Sequence, residues 1–257
     1  MKKTFAIFVL LCTLLSIFTF SSFAIDKQYN WYIKRNGTKQ PCLSKEQELI
    51  KLYNAYYLDT RYKDDGEEKV IYLTYDAGYE NGNIEETLNI LKDNGIPAAF
   101  FILDNILLKN SDLVTRMFNE GHTVCNHTKN HKNISYMKKE DIEKNLSALE
   151  ILCEEKTDKK MAKYFRFPEG KYSEASLKCV SELGYKTIFW SFAYDDWDNA
   201  RQMPCEKAIK KILSNTHNGG IFLFHPTSDT NLKILPHLIK EWKAMGYRFG
   251  TLDELTQ

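Results

Sequence analysis

Apolar and polar residues alternate along the chain in a pattern that predicts strands and helices in turn from residue 70 onward. Residues 70–75 form a short apolar run, which is typical of a buried strand. Residues 83–94 carry apolar side chains at helical spacing, and Gly95 is the expected stop of that helix. The pattern continues to the C-terminus and predicts seven strands and about six helices, an α/β fold with a parallel sheet or barrel.

The other predicted elements follow the same reading. The strands are expected over 98–103, 123–126, 164–167, 186–191, 221–225 and 247–251, and the helices over 111–120, 138–155, 173–183, 204–213 and 232–245.

The chain begins with a stretch that is not expected to belong to the fold. Lys2 and Lys3 precede an apolar run over 4–20, which ends in small residues up to Ala24. This pattern predicts a secretory signal peptide over 1–24, cleaved after Ala24, and therefore export. A retained membrane anchor is the alternative, because the run is close to the minimum length that spans a bilayer.

Residues 25–68 are interpreted as an N-terminal extension and residues 69–257 as the main domain. The extension carries Tyr29, Trp31 and Tyr32, and a helix is expected over 44–57. Ser44 and the residue three positions later resemble a capping box, which favours a helix start there.

Composition narrows the classes of protein. The 257 residues are 43% hydrophobic, enough for one sizeable core. Loss of Lys2 and Lys3 with the signal peptide takes the formal net charge from +1 to −1, which argues against non-specific nucleic-acid binding. The five cysteines outside the signal peptide are widely spaced and odd in number, which favours free thiols, although a single disulfide stays open.

Five polar clusters lie at or just after the ends of predicted strands, where a parallel barrel carries its catalytic groups. They are Thr74-Tyr75-Asp76-Ala77-Gly78, His127-Thr128-Lys129-Asn130-His131, Arg166-Phe167-Pro168-Glu169-Gly170-Lys171-Tyr172, Asp195-Asp196-Trp197 and Leu223-Phe224-His225.

Pairs of residues, taken from one cluster or from two, indicate particular chemistry. A carboxylate at a strand end, Asp76, needs a partner, and Arg166 suits it, although a purely structural ion pair would look the same. His127 and His131 are four residues apart and could face one metal ion, although two surface histidines would show the same spacing.

A second pair of clusters indicates an acid. Asp196 could orient His225 and raise its pKa, which would make it a general acid, although a lone histidine after an apolar strand is often a core residue. Trp197 beside it suits stacking on a sugar, and the competing interpretation is plain core packing.

Together the ordered clusters resemble the polysaccharide deacetylase family, also called carbohydrate esterase family 4 or the NodB-homology domain, over about residues 70–255. The resemblance implies a distorted (β/α)7 barrel that uses a divalent metal ion to remove acetyl groups from N-acetyl sugars. It implies that Asp76 is the base held by Arg166, that His127 and His131 bind the metal, and that His225 is the acid tuned by Asp196.

The resemblance also implies a substrate pocket. Leu223 and Trp197 would form its acetate-binding wall, and the backbone N–H of Tyr172 would help to hold the oxyanion. The family usually has a second, metal-binding aspartate where this chain has Ala77. We therefore expect weaker binding of the ion, which is zinc or another first-row metal.

The first cluster, the segment 190–197 and the extension resemble one branch of the family, the delta-lactam-biosynthetic de-N-acetylases of spore-forming bacteria. That branch acts on N-acetylmuramic acid in peptidoglycan strands whose stem peptides an upstream amidase has removed, and its product can close to the muramic δ-lactam of spore cortex. The resemblance implies a monomer in the cell envelope or the forespore intermembrane space.

Two alternatives stay open at the level of sequence. The first is a deacetylase of N-acetylglucosamine or chitin oligomers. The second is a non-catalytic glycan-binding protein. We also hypothesise that the absence of an aspartate at Ala77 reduces repulsion of the lactyl carboxylate, which muramic acid carries and glucosamine lacks.

Overall fold

The alternating pattern folds into ten strands and eight α-helices within residues 26–257, the part of the chain that the computed structural model describes. The strands are β1 Tyr29–Asn30, β2 Ala55–Tyr56, β3 Lys69–Ala77, β4 Ala99–Ile102, β5 Thr123–Asn126, β6 Tyr164–Phe165, β7 Lys171–Tyr172, β8 Lys186–Ile188, β9 Gly220–Phe224 and β10 Tyr247–Phe249. The α-helices are α1 Asn83–Asn94, α2 Asp104–Lys109, α3 Ser111–Asn119, α4 Lys139–Thr157, α5 Glu174–Glu182, α6 Cys205–Leu213, α7 Asp229–Ala244 and α8 Leu252–Leu255. The predicted signal peptide lies outside the described residues.

The main sheet is parallel and curls back on itself. Its strand order is β10-β3-β4-β5-β6-β8-β2, and β9 also pairs with β3. A parallel bridge between Phe192 and Phe222 brings the chain after β8 against β9. With α-helices between most of the parallel strands, this is the predicted distorted (β/α)7 barrel.

Alternation of side chains along β3 explains its place at the centre of the fold. Ile71, Leu73 and Tyr75 belong to the large apolar cluster that includes the helices α1 and α7, whereas Val70 and Tyr72 belong to a separate cluster with β4 and β5. Since both sets are buried, a one-residue slip in register would exchange two packed layers. The pairing therefore fixes which residue ends the strand at the rim of the barrel.

The extension differs from its prediction. The α-helix expected over 44–57 is wrong. The segment instead forms a short 3₁₀ helix, Gln47–Leu52, which is followed by β2, and β2 pairs in parallel with β8. The Gln47 side chain does accept a hydrogen bond from the Ser44 backbone N–H at 2.9 Å, so half of the capping box is present. Pairing with a sheet edge offers the backbone of β2 partners that the sequence pattern alone cannot reveal.

The extension packs directly on the barrel. Strand β1 pairs antiparallel with β7, and Trp31 and Ile50 share one buried apolar cluster with Phe165 and Phe189. All five cysteines in the described residues are free thiols. No helix within residues 26–257 has the length and apolar character needed to cross a membrane.

Candidate active site

The clusters at the ends of the parallel strands meet around one pocket of about 740 Å³. Of the predicted site residues, six line it: Asp76, His127, His131, Trp197, Leu223 and His225. Parallel strands place their carboxyl ends on the same rim, so groups more than a hundred residues apart in sequence converge there.

Asp76 and Arg166 form the ion pair that the sequence predicts. The Arg166 Nη1 donates to Asp76 Oδ1 at 2.8 Å, and the arginine side chain is fully buried. Burial opposes the charged carboxylate, but the surrounding positive groups outweigh it and hold the pKa of Asp76 below its ordinary value. Arg166 is the permanent one of these charges. Asp76 is therefore ionised at neutral pH.

Residues that the sequence did not single out hold Arg166 in place. Its Nη2 donates to Thr74 Oγ1 at 2.9 Å and its Nε donates to the Ile188 carbonyl oxygen at 2.9 Å. The guanidinium also lies 4.1 Å from the centre of the Phe101 ring. Thr74 belongs to the first cluster, so its position gave a weak signal, whereas nothing in the sequence marked the Ile188 carbonyl.

The two predicted metal ligands lie side by side. The ring centres of His127 and His131 are 5.0 Å apart, and both rings face the pocket. His127 Nδ1 lies 2.9 Å from the Arg166 carbonyl oxygen, which can only accept, so Nδ1 carries the proton of the neutral ring. Burial lowers the pKa of His127 to about 4, which keeps this ring neutral near pH 7.

This arrangement leaves the lone pair on His127 Nε2 free, so this atom could bind a metal ion. Its Nε2 faces Asp76 Oδ2 at 3.4 Å, and neither atom carries a proton at neutral pH. Within residues 26–257 no three His, Cys, Asp or Glu side chains converge as a ready-made metal site. His127 and His131 still fit a divalent ion, because both rings face the pocket and Nε2 of His127 is unprotonated. The weak binding expected from Ala77 stays a prediction.

His225 and Asp196 form the second predicted pair. His225 Nδ1 donates to Asp196 Oδ1 at 2.8 Å, and the His225 backbone N–H donates to Oδ2 at 2.8 Å. Burial lowers the pKa of His225, but the charge and hydrogen bond of Asp196 outweigh it, so the pKa is raised above its ordinary 6.5. Asn231, which was not predicted as a site residue, donates to Asp196 Oδ2 at 2.5 Å.

The pocket wall agrees with the prediction except at one residue. Trp197 is 59% exposed and Leu223 is nearly buried, and both line the pocket. Tyr172 is not among the residues that line it, and it lies in β7, which pairs with β1. Glu169 lines the pocket instead, at a backbone φ of 55° within the turn Pro168–Gly170. The oxyanion contact expected of the Tyr172 backbone N–H stays a prediction.

Ala77 also differs in position from the expectation. It is fully buried and belongs to the apolar cluster between the sheet and the helices, while its neighbours Asp76 and Gly78 line the pocket. An aspartate at this position would have to leave the apolar layer to reach the site. The position of Ala77 therefore does not directly support the hypothesis that its missing carboxylate changes the charge of the pocket.

Known proteins resemble this chain in both sequence and structure. A polysaccharide deacetylase family model matches residues 63–188. The peptidoglycan-N-acetylmuramic acid deacetylase PdaA of Bacillus subtilis is 34% identical over 232 residues, covering 90% of this chain and 86% of the relative. Its solved structure, described as a family 4 carbohydrate esterase, superposes with a TM-score of 0.83 at 33% identity, covering 89% of this chain and 97% of that one.

A second relative matches less of the chain. A peptidoglycan-N-acetylglucosamine deacetylase of Bacillus cereus is 32% identical over 196 residues, covering 73% of this chain and 88% of the relative. The family match, the barrel fold and the two pairs at the pocket, Asp76 with Arg166 and Asp196 with His225, all indicate the same family. The chain belongs to the polysaccharide deacetylase family, carbohydrate esterase family 4, and is a hydrolase of amide carbon–nitrogen bonds in peptidoglycan.

Proposed function

We propose that this enzyme removes the acetyl group from N-acetylmuramic acid in peptidoglycan strands that have lost their stem peptides. The observation that carries the reaction is the pair of dyads on one pocket, Asp76 with Arg166 and His225 with Asp196. One dyad supplies an ionised carboxylate, and the other supplies an imidazole that holds its proton more tightly than usual.

The two dyads support a division of labour between base and acid. Asp76 takes a proton from the attacking water as the water oxygen bonds to the amide carbonyl carbon. His225 then donates the proton on its Nε2 to the amide nitrogen as the carbon–nitrogen bond breaks, and Asp196 stabilises the imidazolium through Nδ1. The products are acetate and a free amine on the sugar.

The family generally uses a divalent metal ion, and His127 and His131 would hold it here. When bound, such an ion polarises a carbonyl oxygen and lowers the pKa of water. The His127 Nδ1–H bond to the Arg166 carbonyl orients the imidazole for this role, because it leaves Nε2 free toward the pocket. Arg166 thereby positions both the base, through its side chain, and a predicted metal ligand, through its backbone.

Similarity across the whole chain supports muramic acid as the substrate. The N-acetylmuramic acid deacetylase covers 90% of this chain, whereas the N-acetylglucosamine deacetylase covers 73%. The part outside the second match is larger than residues 1–25 alone, and the family model itself begins only at residue 63. The extension before that point packs on the barrel and lies outside the family model.

The chemistry of the product supports a further step. A free amine on the sugar carbon beside the lactyl ether can attack the lactyl carboxyl group, with loss of water, to form a δ-lactam. This closure requires a carboxyl group that no peptide occupies, so an amidase must act first. We therefore propose that the enzyme acts in spore cortex. We also propose that it is exported to the cell envelope and is a monomer.

Mass spectrometry of muropeptides tests substrate and activity together. Glycan strands treated with an amidase are incubated with the enzyme and a divalent metal, and the fragments are assigned before and after. Loss of one acetyl group from muramic acid is the expected result. Loss from glucosamine would instead make the enzyme an N-acetylglucosamine deacetylase, and no loss at all would favour a glycan-binding protein without catalysis.

The position of Ala77 offers a second comparison. The variant Ala77→Asp restores the residue type that the family usually has, so the ratio of activities on muramic and glucosamine substrates should fall if the missing carboxylate favours the lactyl anion. An unchanged ratio would reject that hypothesis without affecting the proposed reaction.

A further inference from the structure

The extension is seated on the two loops that carry the active site. Trp31 is buried, its Nε1 donates to the Trp190 carbonyl oxygen at 3.0 Å, and its backbone N–H donates to the Gly170 carbonyl at 2.7 Å. Its ring stacks on Phe189 with centres 4.3 Å apart. Gly170 has a φ of +65°, and a Cβ there would lie 2.8 Å from the Trp31 Cβ, so only glycine permits this close approach.

Four residues after Trp31, the extension places Arg35 on the wall of the catalytic pocket. Its Nη2 donates to the Ala193 carbonyl oxygen at 2.6 Å, and its guanidinium carbon lies 5.4 Å from the centre of the Phe192 ring. These contacts fix the group while leaving most of its N–H donors uncommitted. No carboxylate of residues 26–257 lies within 4 Å of it.

Other charges around the pocket are committed elsewhere. Among its lining residues, Arg35 is the only lysine or arginine. Arg166 is fully buried beneath Asp76 and does not reach the pocket surface. Lys171 pairs with Glu169 at 2.5 Å. Among the described residues that line the pocket, Arg35 is therefore the one lysine or arginine that a ligand can contact.

The covalent structure of muramic acid determines what such a cation meets. Its lactyl ether is attached to the carbon next to the one that bears the acetamido group. When the acetamido group lies between Asp76 and His225, the lactyl carboxylate must face another part of the same pocket. An arginine fork matches a carboxylate with two parallel hydrogen bonds.

We propose that Arg35 binds the lactyl carboxylate and thereby selects muramic acid over glucosamine. The proposal rests on the function proposed above and deepens it by naming a specificity residue on the extension. Arg166 cannot take this role, because it is enclosed by the protein and does not line the pocket. Asp195 also lines the pocket, and no positive side chain of residues 26–257 pairs with it within 4 Å. Its charge would repel the lactyl carboxylate, which a cation close to the ligand offsets.

The test crosses one enzyme variant with one substrate change. Wild type and Arg35→Gln are assayed on peptide-free muramic strands and on the same strands with the lactyl carboxyl converted to a methyl ester. Because Arg35 is exposed, the variant should lose roughly 10-fold in kcat/KM on the free acid, mainly through KM. It should lose little on the ester, on which wild type should already be slow.

Controls separate this inference from the proposed function. Lys34→Ala removes a neighbouring exposed cation that does not line the pocket and should leave both substrates unaffected. Equal losses on the acid and the ester would overturn the role of Arg35, as would an unchanged preference in a folded Arg35→Gln protein. A wild type that does not deacetylate muramic strands at all would refute the proposed function instead.

Discussion

Two carboxylates lie in the same pocket region but are held in different ways: Asp76 is partly exposed to the pocket, and Asp196 is buried. Asp76 commits one oxygen to Arg166 and leaves the other toward His127 and the pocket. Asp196 commits both oxygens, one to the His225 ring and one to the His225 backbone and Asn231. A carboxylate with a free oxygen can accept a proton, whereas one without can only orient its neighbour. The environment thus assigns two roles to one residue type.

The largest effect on the rate of deacetylation is expected from Asp76→Asn. The amide keeps the shape of the side chain but cannot take a proton from water, so the rate should fall by about 10³-fold to 10⁴-fold, the upper range for loss of a general base. Acetate release from peptide-free glycan strands measures it. A variant that retains more than a tenth of the wild-type rate would exclude Asp76 as the base.

Loss of Arg166 should cost stability as well as activity. Arg166→Met removes a fully buried charge and leaves Asp76 without its permanent partner, so the free energy of unfolding should fall by about 3–5 kcal/mol. Urea unfolding followed by circular dichroism measures this. The matched change Arg116→Met affects a partly exposed pair with Glu120 and should cost no more than about 1 kcal/mol. Similar losses in both variants would argue against the special burial of Arg166.

Asp196→Asn should move the pH profile. Activity requires Asp76 ionised and His225 protonated, so the wild-type rate falls as pH rises through the raised pKa of His225, above 6.5. Without the Asp196 charge, burial dominates and lowers that pKa, so the alkaline limb should shift to lower pH. The rate near neutral pH should fall by about 10²-fold.

A neighbouring residue provides the control for this shift. Asp195→Asn makes the same substitution one position away, but Asp195 makes no hydrogen bond to His225. Its pH profile should therefore keep the wild-type alkaline limb, even if the rate changes. If both variants shift the limb equally, general pocket charge rather than the Asp196 contact controls His225.

The smallest effect is expected at the rim. Trp197 is 59% exposed and lines the pocket, so Trp197→Ala should weaken substrate binding by about 1 kcal/mol, seen as a roughly 5-fold rise in KM at nearly constant kcat. Tyr136 is 62% exposed and does not line the pocket, so Tyr136→Ala should leave KM unchanged. A fall in kcat instead of a rise in KM would indicate that Trp197 acts on the reaction itself.

Sequence reasoning predicted the barrel more accurately than the extension. The helix α1 and the strand β5 have the predicted bounds, because an amphipathic stripe and a short apolar run each require one kind of element. The short helix α2, Asp104–Lys109, was missed, since six residues give too little periodicity. The helix expected over 44–57 was wrong because the sheet edge at β8 captures residues 55 and 56.

Some residues of the candidate site could be predicted from the sequence, and others could not. Asp76, His127, Arg166 and His225 were predictable because their residue types and order carry the chemistry. Asn231 and Arg35 were not selected as site residues, since their roles depend on contacts with segments far away in sequence. In the cluster that ends at Tyr172, Glu169 is the residue that lines the pocket, because the turn at Pro168–Gly170 presents it there.

The sequence by itself determined the family of the fold and the chemical groups at the strand ends, because alternation of apolar segments and the order of polar clusters are local properties. Tertiary structure alone decided that Asp76 keeps one oxygen free while Asp196 commits both, that Ala77 lies in the apolar layer, and that Arg35 of the extension reaches the pocket. Those outcomes depend on distances between residues that only the closed sheet brings together. Burial and hydrogen bonding at these contacts set the charge and reach of each group.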